Sequence, residues 1–357
     1  MAKHTDIVGL LDHRVRHGDY SLKQLPAEQK LAKEIGVSRS TIRKALHHLI
    51  GTGVLIRNPN GRVVVNRATD ERAHNLQLAF LQPSHPFFDA DWYRLATQRA
   101  AASLGATLRP ILYLHWHDSL IHDALDGFDG VFFMPPAEEI PSWLVDLFRK
   151  YAPGHVVVLE QDLSHCGVQS ICLFPASLVH RLLDHLAELG HRAIDCFNVH
   201  PMEPAVEARI EQWRIWKNAH GTDGREINEA GKYGGWISDQ AYEAMSVLLG
   251  EGPYKATAVL CTTMPTAIGV LRAMEDHGIK VGRDVSVCTV NDDGIARYLS
   301  PSVTALLLPD PGPYVSRCIQ KIRARGEEWI CPLLVQLDHA PLFIGESTGK
   351  CVRTQEG

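Results

Sequence analysis

Short apolar runs alternate with helical stretches along most of this chain, and this pattern constrains the fold more than any other feature of the sequence. The runs are apolar throughout, as expected of strands that are buried on both faces. They are LQLAFL (76–81), GVFFM (130–134), HVVVL (155–159), TAVLC (257–261), VSVCTV (285–290) and VTALLL (303–308). Helical patterns that end at glycine lie between them, at 92–105, 178–190 and 266–278. This alternation predicts an α/β fold with parallel sheets covered by helices on both faces.

The segment 76–348 is too long for one compact core, so we expect it to form two α/β lobes. The expected ranges are lobe one at about 76–173 and 307–327, lobe two at about 174–306 and 328–348, and a tail at 349–357. Ligands of open α/β folds bind beyond the carboxyl ends of the strands. The sequence therefore predicts a ligand site in the cleft between the lobes.

Charge is segregated along the chain. Residues 1–67 hold 12 Lys and Arg against 5 Asp and Glu, a net charge of +7, and the remainder carries −12. Residues 68–75 are polar and lack apolar periodicity, which indicates a linker. The basic segment therefore predicts a separate small domain with a polyanionic partner.

Composition also narrows the cellular setting. No apolar run approaches the roughly 18 residues that a membrane helix requires. The start, MAKHTDIVG, lacks the basic and apolar regions of a signal peptide. The eight cysteines show no C-x-x-C spacing, which is typical of reduced thiols. We therefore expect a cytoplasmic protein without a membrane partner.

Residues 26–49 have the pattern of two helices joined by a tight turn. Pro26 suits the first turn of the first helix, Gly36 can take the left-handed conformation that ends it, and Ser38 is a favourable N-cap for the second. The apolar positions of the second helix recur at helical spacing: Ile42, Ala45, Leu46 and Leu49. Its opposite face carries hydrogen-bond donors: Arg39, Ser40, Arg43 and His47. This pattern predicts a helix-turn-helix whose second helix enters the DNA major groove.

A solvated amphipathic helix is the alternative, but it does not explain the turn, the cap and the local basic charge together. The residues that follow favour DNA binding. VLIR (54–57) and RVVV (62–65) flank Asn-Pro-Asn-Gly, which is a hairpin signal. A hairpin after a recognition helix makes a winged helix, with Arg57 and Arg62 near the phosphates.

The stretch LPAEQKLAKEIGVSRSTIRKALHHLIGTGVLIR, continued by NGRVVV, resembles the DNA-binding domain of the GntR family over nearly all of residues 5–66. The resemblance implies that Gly61 is the wing-tip glycine. It also implies DNA contacts from Ser38, Arg39, Ser40, Thr41 and Arg43. One position departs from the family: Gln29 stands where an arginine commonly follows the glutamate of the LP-x-E element. One phosphate or base contact is therefore in doubt.

The larger segment resembles a second family. LAELGHRAI (186–194), ARIEQW (208–213) and IGVLRAMEDHGIKVGRDVSVCTVNDD (268–293) are similar to the effector domain of LacI/GalR regulators, itself like periplasmic sugar-binding proteins. LSPSVTAL (299–306) and FIGEST (343–348) extend the match to roughly 76–348. Arabinose-responsive repressors combine the same two domain types. The resemblance implies a winged helix-turn-helix followed by a two-lobe, periplasmic-binding-protein-like domain.

This second resemblance implies a sugar site. It places Arg209 on the arginine that holds ligand hydroxyls or carboxylates, and Asn291 and Asp292 on the polar pair after the fifth strand of lobe two. Trp236 falls near an aromatic residue that can border the ligand. Donor forks and carboxylates suit hydroxyls, and aromatic rings suit the C–H faces of sugars. Arg209 could instead be a surface helix residue, and Trp236 could be a core residue.

Phe88 and Asp89 could add an apolar face and an acceptor from the other lobe, although Phe88 could equally be core. LacI-type sensors usually place Asn-Asp after the strand that here reads TAVLC, and those positions are Thr263 and Met264. Because a thioether is a weak acceptor, one hydroxyl anchor is missing. Two possibilities stay open. The ligand supplies a negative charge to Arg209, as a sugar acid would, or an acidic residue pairs with Arg209 and a neutral sugar binds.

Catalytic signatures are thin: the sequence has no G-x-S-x-G elbow, H-E-x-x-H motif, P-loop or G-x-G-x-x-G after a strand. His115 and His117 could share a strand face as metal ligands, but no third ligand is evident. Asp292 and Asp293 could be an acid/base pair, but a solvated loop or ligand-binding pair is favoured. We therefore expect no metal, no cofactor and no enzyme activity.

These observations predict a ligand-responsive, DNA-binding transcription regulator. We expect a homodimeric repressor of carbohydrate metabolism that reads an inverted repeat in double-stranded DNA. Its effector would be a small carbohydrate or sugar acid. Two alternatives remain, a winged helix fused to a sugar-modifying enzyme and a ligand-free dimerisation scaffold.

Overall fold

The computed structural model describes residues 4–16, 19–20, 25–59, 61–66, 76–84, 88–136, 138–151, 154–229, 235–324 and 333–352. The chain divides into two compact units. The first unit comprises residues 1–136, 140–172 and 310–335, and the second comprises 137–139, 173–309 and 336–357. Each unit contains one six-stranded sheet, and the first unit also contains a two-stranded sheet near the amino terminus.

The amino-terminal elements form a winged helix: α1 (His4–Arg16), α2 (Glu28–Ile35), α3 (Arg39–Gly51), β1 (Leu55–Arg57) and β2 (Val63–Val65). β1 and β2 pair antiparallel, which confirms the predicted hairpin. The apolar stripe predicted for α3 is buried together with residues of α1, α2 and β1. Gly36 has a φ of 75° and ends α2, as expected from the sequence. The sequence signals for this domain are local, and the structure confirms them.

The first six-stranded sheet has the order β13-β7-β6-β5-β3-β4. Its strands are β3 (Leu76–Pro83), β4 (Ala106–Tyr113), β5 (Gly130–Phe133), β6 (Val156–Leu159), β7 (Gln169–Cys172) and β13 (Leu334–Gln336). The pairings from β7 through to β4 are parallel. The helices of this part are α4 (Phe88–Ser103), α5 (Ser119–Gly127), α6 (Ser142–Phe148) and α11 (Gly312–Arg323).

The second six-stranded sheet has the order β14-β12-β11-β10-β8-β9. Its strands are β8 (Ile194–Asn198), β9 (Glu226–Asn228), β10 (Ala258–Cys261), β11 (Ser286–Asn291), β12 (Thr304–Leu306) and β14 (Leu342–Phe343). All pairings are parallel except that of β12 with β14. Its helices are α7 (Val179–Glu188), α8 (Pro204–His220), α9 (Ile237–Gly250) and α10 (Met264–Asp276). Buried clusters cover both faces of this sheet.

All six strands predicted from apolar runs are present, as are the three predicted helices. The sequence missed β4, whose alternating exposure and Pro110 are typical of an edge strand. It also missed β8, which contains the polar residues Asp195 and Asn198. The sequence analysis assigned residues 328–348 to lobe two, and this assignment is wrong for β13. That strand lies in the first sheet, where it covers the edge of β7 and the Leu333 carbonyl accepts from the Ser170 amide.

No helix within the described ranges is both long enough and apolar enough to cross a membrane.

Candidate nucleic-acid interface and ligand site

The amino terminus of α3 gathers three hydroxyl groups around its cap. Ser38 Oγ accepts a hydrogen bond from the Thr41 amide at 3.2 Å, which confirms Ser38 as the N-cap. The same oxygen lies 2.8 Å from the hydroxyls of Ser40 and Thr41. Ser38 and Ser40 are exposed. Hydroxyls and amides at a helix amino terminus are a surface suited to a phosphate oxygen.

Two exposed arginines stand one helical turn apart on α3, beside a carboxylate of α2. Arg39 Nε donates to Glu28 Oε2 at 3.0 Å, and Arg43 Nε approaches the same oxygen at 3.4 Å. The hydrogen bond from Arg39 lowers the pKa of the Glu28 carboxyl. The sequence reading missed Glu28, although its place in the LP-x-E element next to Gln29 was a signal. Both arginines face away from the buried side of α3, as predicted.

The wing is held by its own polar groups. Arg57 Nη1 donates to the Gly61 carbonyl at 3.0 Å, and the Arg62 amide donates to Asn58 Oδ1 at 2.9 Å. Gly61 has a φ of 74°, a conformation that favours glycine. Arg57 and Arg62 are both exposed on this hairpin. The structure thus places two cationic side chains on the wing.

The carboxyl end of α1 contacts the amino ends of β3 and β4. Gln77 Nε2 donates to the Val15 carbonyl at 2.7 Å, and Thr107 Oγ1 lies 3.4 Å from the Arg16 carbonyl. The last carbonyls of a helix have no partner within the helix, so these side chains act as a C-cap supplied by the first sheet. The winged helix and the first sheet are therefore joined by specific polar contacts.

In the second unit, three parallel strands end together at one edge of the sheet. Cys261 pairs with Phe197 on one side and with Thr289 on the other. Asn198 and Thr262 come directly after these paired positions and Asn291 comes two residues after Thr289, so the three lie along the same carboxyl edge. β8 lies between β9 and β10 in this sheet, so the chain order changes direction there. This is the position at which open α/β sheets bind ligands.

Arg209 reaches this edge from α8. Its Nη1 donates to the Thr262 carbonyl at 2.9 Å. Thr262 Oγ1 in turn donates to Asn198 Oδ1 at 2.6 Å, and both of these residues are buried. Arg209 is half-buried, so it is more than a solvated side chain on the helix surface. A chain of contacts therefore connects the arginine to the ends of β10 and β8.

Asn198 also organises the loop that follows β8. Its Nδ2 donates to the His200 carbonyl at 2.8 Å and to Asn228 Oδ1 at 2.9 Å. Sequence reasoning missed both Asn198 and Thr262. A signal was available, because a polar residue directly after a buried apolar run at the end of a parallel strand is a candidate site residue.

Asn291 and Asp292 are each 8% exposed at the end of β11. Asp292 Oδ1 accepts from the Leu308 amide at 3.0 Å, so this carboxylate holds the chain after β12. Asn291 Oδ1 is buried and has no hydrogen-bond partner among the described residues. Since buried acceptors are nearly always satisfied, Asn291 offers an acceptor to a water or a ligand hydroxyl.

The remaining predicted ligand residues have different environments. Thr263 caps α10 by accepting a hydrogen bond from the Thr266 amide. Met264, the first residue of that helix, is fully buried in the core. Trp236 is 83% exposed at the start of α9, which rules out the core interpretation for this residue. Phe88 and Asp89 begin α4, but their side chains lie outside the described residues.

The described part of the chain holds no group of three or more His, Cys, Asp or Glu side chains that could bind a metal ion. His117 instead stacks on Trp143, with ring centroids 4.7 Å apart.

Comparison with known proteins places two domains on the chain. Residues 3–65 match the family described as bacterial regulatory proteins, gntR family. Residues 183–310 match the periplasmic binding protein-like domain. The chain therefore joins a GntR-type DNA-binding domain to a periplasmic-binding-protein-like domain. These two domain types together define a DNA-binding transcription regulator whose second domain is of a ligand-binding type.

Comparisons over most of the chain agree with these two domain types. The probable HTH-type transcriptional repressor ExuR of Bacillus subtilis (strain 168) is 23% identical over 295 residues, which cover 79% of this chain and 81% of that protein. A LacI family regulator from Bifidobacterium animalis subsp. lactis superposes with a TM-score of 0.65 at 17% identity, over 77% of this chain and 98% of the other. The Lac repressor bound to ONPG superposes with a TM-score of 0.63 at 17% identity, over 92% and 94%. These two solved structures share the fold of this chain.

Proposed function

We propose that this protein is a repressor of carbohydrate metabolism genes whose operator affinity changes when a small carbohydrate or sugar acid binds. The observation that carries the proposal is the exposed pair Arg39 and Arg43 on a capped helix-turn-helix, joined in one chain to a binding-protein-like fold. The match to a probable repressor over 79% of the chain supports it. A protein that reads DNA in this way would act in the cytoplasm.

The DNA contacts are tested by substitution. Arg39→Ala or Arg43→Ala should weaken operator binding by about 1–3 kcal/mol, because arginine reads guanine edges bidentately. Arg57→Ala or Arg62→Ala should weaken binding to every sequence alike and reduce the salt dependence. Arg283→Ala, an exposed arginine of the second unit, is the control. Unchanged operator binding by the Arg39→Ala/Arg43→Ala double variant would falsify the assignment.

We infer that the effector binds at the carboxyl edge of the second sheet, with Arg209, Thr263, Asn291 and Asp292 as the candidate residues there. Asn291 Oδ1 has no hydrogen-bond partner among the described residues, and this acceptor supports a hydroxyl-bearing ligand. The resemblance to LacI-type domains adds Phe88, Asp89 and Trp236 as candidates.

The charge of the effector stays open between two classes. The position that carries a carboxylate in LacI-type domains is Met264 here, and its side chain is in the core. Titration with D-glucose and D-glucuronate, which differ only at the acid group, separates the classes. Preference for glucuronate that is lost in Arg209→Ala supports the sugar acid. Preference for glucose that survives in Arg209→Ala supports the neutral sugar.

We propose a symmetric dimer that reads an inverted repeat, because one winged helix contacts too few base pairs to select a genomic site. Sedimentation of the protein at micromolar concentration, with and without operator, tests this. A monomer under both conditions would contradict it.

We also infer binding without turnover. Calorimetry against a panel of sugars and sugar acids, followed by product analysis, distinguishes the rival functions. Turnover would favour the enzyme, and the absence of binding across the panel would favour a dimerisation scaffold.

A further inference from the structure

One carboxylate contacts both of the arginines that we assign to DNA reading. Glu28 opens α2, and its Oε2 accepts from the Nε atoms of Arg39 at 3.0 Å and Arg43 at 3.4 Å. The Glu28 side chain is 26% exposed, against 62% and 56% for the arginines. Glu28 is therefore held between the two helices, while the arginine ends extend towards solvent.

The atom that Glu28 contacts matters for DNA reading. An arginine has five N–H groups in a planar fork, and a guanine is read by two of them, at O6 and N7. In both arginines the bond to Glu28 occupies Nε. The terminal Nη groups of Arg39 and Arg43 have no hydrogen-bond partner within the described residues. The end of each fork is thus left for a base edge, and its plane is restricted by the Nε contact.

Two simpler roles explain less. Exposed ion pairs contribute little to stability, so a purely structural role is a weak reason for a shared acceptor. If Glu28 acted only through its negative charge, it would repel the DNA phosphates and oppose the binding of any duplex. A role in orienting the two arginine guanidinium groups explains why a carboxylate is present at a DNA-binding surface.

We propose that Glu28 is a positioning residue that sets sequence selectivity by orienting the Arg39 and Arg43 guanidinium groups, without touching DNA itself. The proposal rests on the proposed function of the winged helix as an operator reader. It predicts that selectivity and general affinity respond in opposite directions when Glu28 is neutralised.

The experiment begins with the full-length wild-type protein and a library of randomised duplexes. Selection gives a preferred site, and failure of the wild type to select any sequence would overturn the proposed function itself. Affinities for the selected site and for a scrambled duplex are then measured for wild type, Glu28→Gln and Glu28→Asp. Glu34→Gln is the matched control, because Glu34 lies on the same helix and pairs with Arg14 at 2.7 Å instead.

We expect Glu28→Gln to bind the scrambled duplex about two- to fivefold more tightly, because one repulsive charge is removed. Its ratio of specific to scrambled affinity should fall by roughly 5- to 30-fold, with the loss concentrated at guanine positions. Glu28→Asp, which keeps the charge on a shorter side chain, should retain part of the ratio. Glu34→Gln should leave the ratio unchanged.

Two results would overturn the proposal. A ratio in Glu28→Gln within twofold of that in Glu34→Gln would leave only a charge effect. An equal fall in both affinities together with a lower melting temperature would make Glu28 a stabilising residue. As a further check, Glu28→Gln should not change the ratio in an Arg39→Ala/Arg43→Ala background.

Discussion

Asp195 is a buried carboxylate that accepts hydrogen bonds from two distant parts of the second unit. It is 1% exposed, and its Oδ1 accepts from the Arg225 amide at 2.7 Å. Its Oδ2 accepts from Arg225 Nη2 at 2.9 Å and from the Tyr254 hydroxyl at 2.8 Å. Burial raises the pKa of Tyr254 well above its usual value, so the phenol stays protonated and donates. The edge strand β9 and the loop before β10 depend on this one side chain.

Asp195→Ala should lower the free energy of unfolding by about 2–4 kcal/mol, because a buried hydroxyl and a backbone amide lose their acceptor. Tyr254→Phe removes one bond and leaves Arg225 paired, so it should cost only about 1 kcal/mol. Urea denaturation followed by tryptophan fluorescence measures both changes. Equal losses in the two variants would contradict the role of Asp195 as the shared acceptor.

Among the elements of the second unit, the carboxyl-terminal strap (residues 345–351) contacts two buried histidines, one on α7 and one in the turn that follows it. His185 Nε2 lies 3.0 Å from Thr348 Oγ1, and His191 Nε2 lies 3.0 Å from the Gly349 carbonyl. Burial lowers the pKa of both imidazoles. The strap also pairs with β11 through the Val287 amide and the Ser347 carbonyl. Burial therefore favours the neutral form of both histidines in the folded chain.

The free energy of unfolding should decrease as the pH falls, because burial disfavours the protonated form of both histidines. In the unfolded chain each histidine gains a proton near its usual pKa of 6.5, whereas in the folded chain it does so only at lower pH. Below about pH 6.5 the unfolded state binds more protons, so stability decreases by up to about 1.4 kcal/mol per histidine for each pH unit, until the folded pKa is reached. Denaturation between pH 5 and 7.5 measures this slope. His185→Gln should reduce the slope, and an unchanged slope would refute its contribution.

In the whole molecule, contacts between α1 and the first sheet join the winged helix to the rest of the first unit. The contact depends on Gln77 and Thr107, whose side chains serve the last carbonyls of α1. An exposed ion pair between Arg109 and Asp19 lies beside it, at 3.4 Å. Because few polar contacts join these parts among the residues that the structure describes, we expect their coupling to be easy to remove.

Gln77→Ala combined with Thr107→Val should uncouple the winged helix from the first sheet. Peptides from α1 should then exchange amide hydrogens faster, while those from β3 and β4 should be unchanged, since locally opened segments exchange first. Hydrogen–deuterium exchange with mass spectrometry measures this difference. Thr107→Ser keeps the hydroxyl and is the control, and unaltered α1 exchange in the double variant would show that the contact does not couple the two parts.

Local signals were sufficient for the winged helix and for the six strands that are continuous apolar runs. Gly36, Ser38 and the apolar spacing of α3 act within a few residues, and continuous apolar runs predict strands of a covered parallel sheet. The same holds for the basic surface, because the positions of Arg39 and Arg43 on α3 follow from helical periodicity alone.

Tertiary structure alone decided how the candidate sites are assembled. Thr262 meets Asn198 across 64 residues and Arg209 across 53. The register of β8 against β10 sets the first contact, and the packing of α8 on the sheet sets the second. Packing likewise buried Met264 at the start of α10 and left Trp236 exposed at the start of α9. Glu28 joins Arg39 and Arg43 only because α2 and α3 pack together, so its acceptor is available to two helical positions at once. Local sequence patterns therefore specify the elements with a strong apolar or helical period, whereas contacts between distant elements decide which side chains meet.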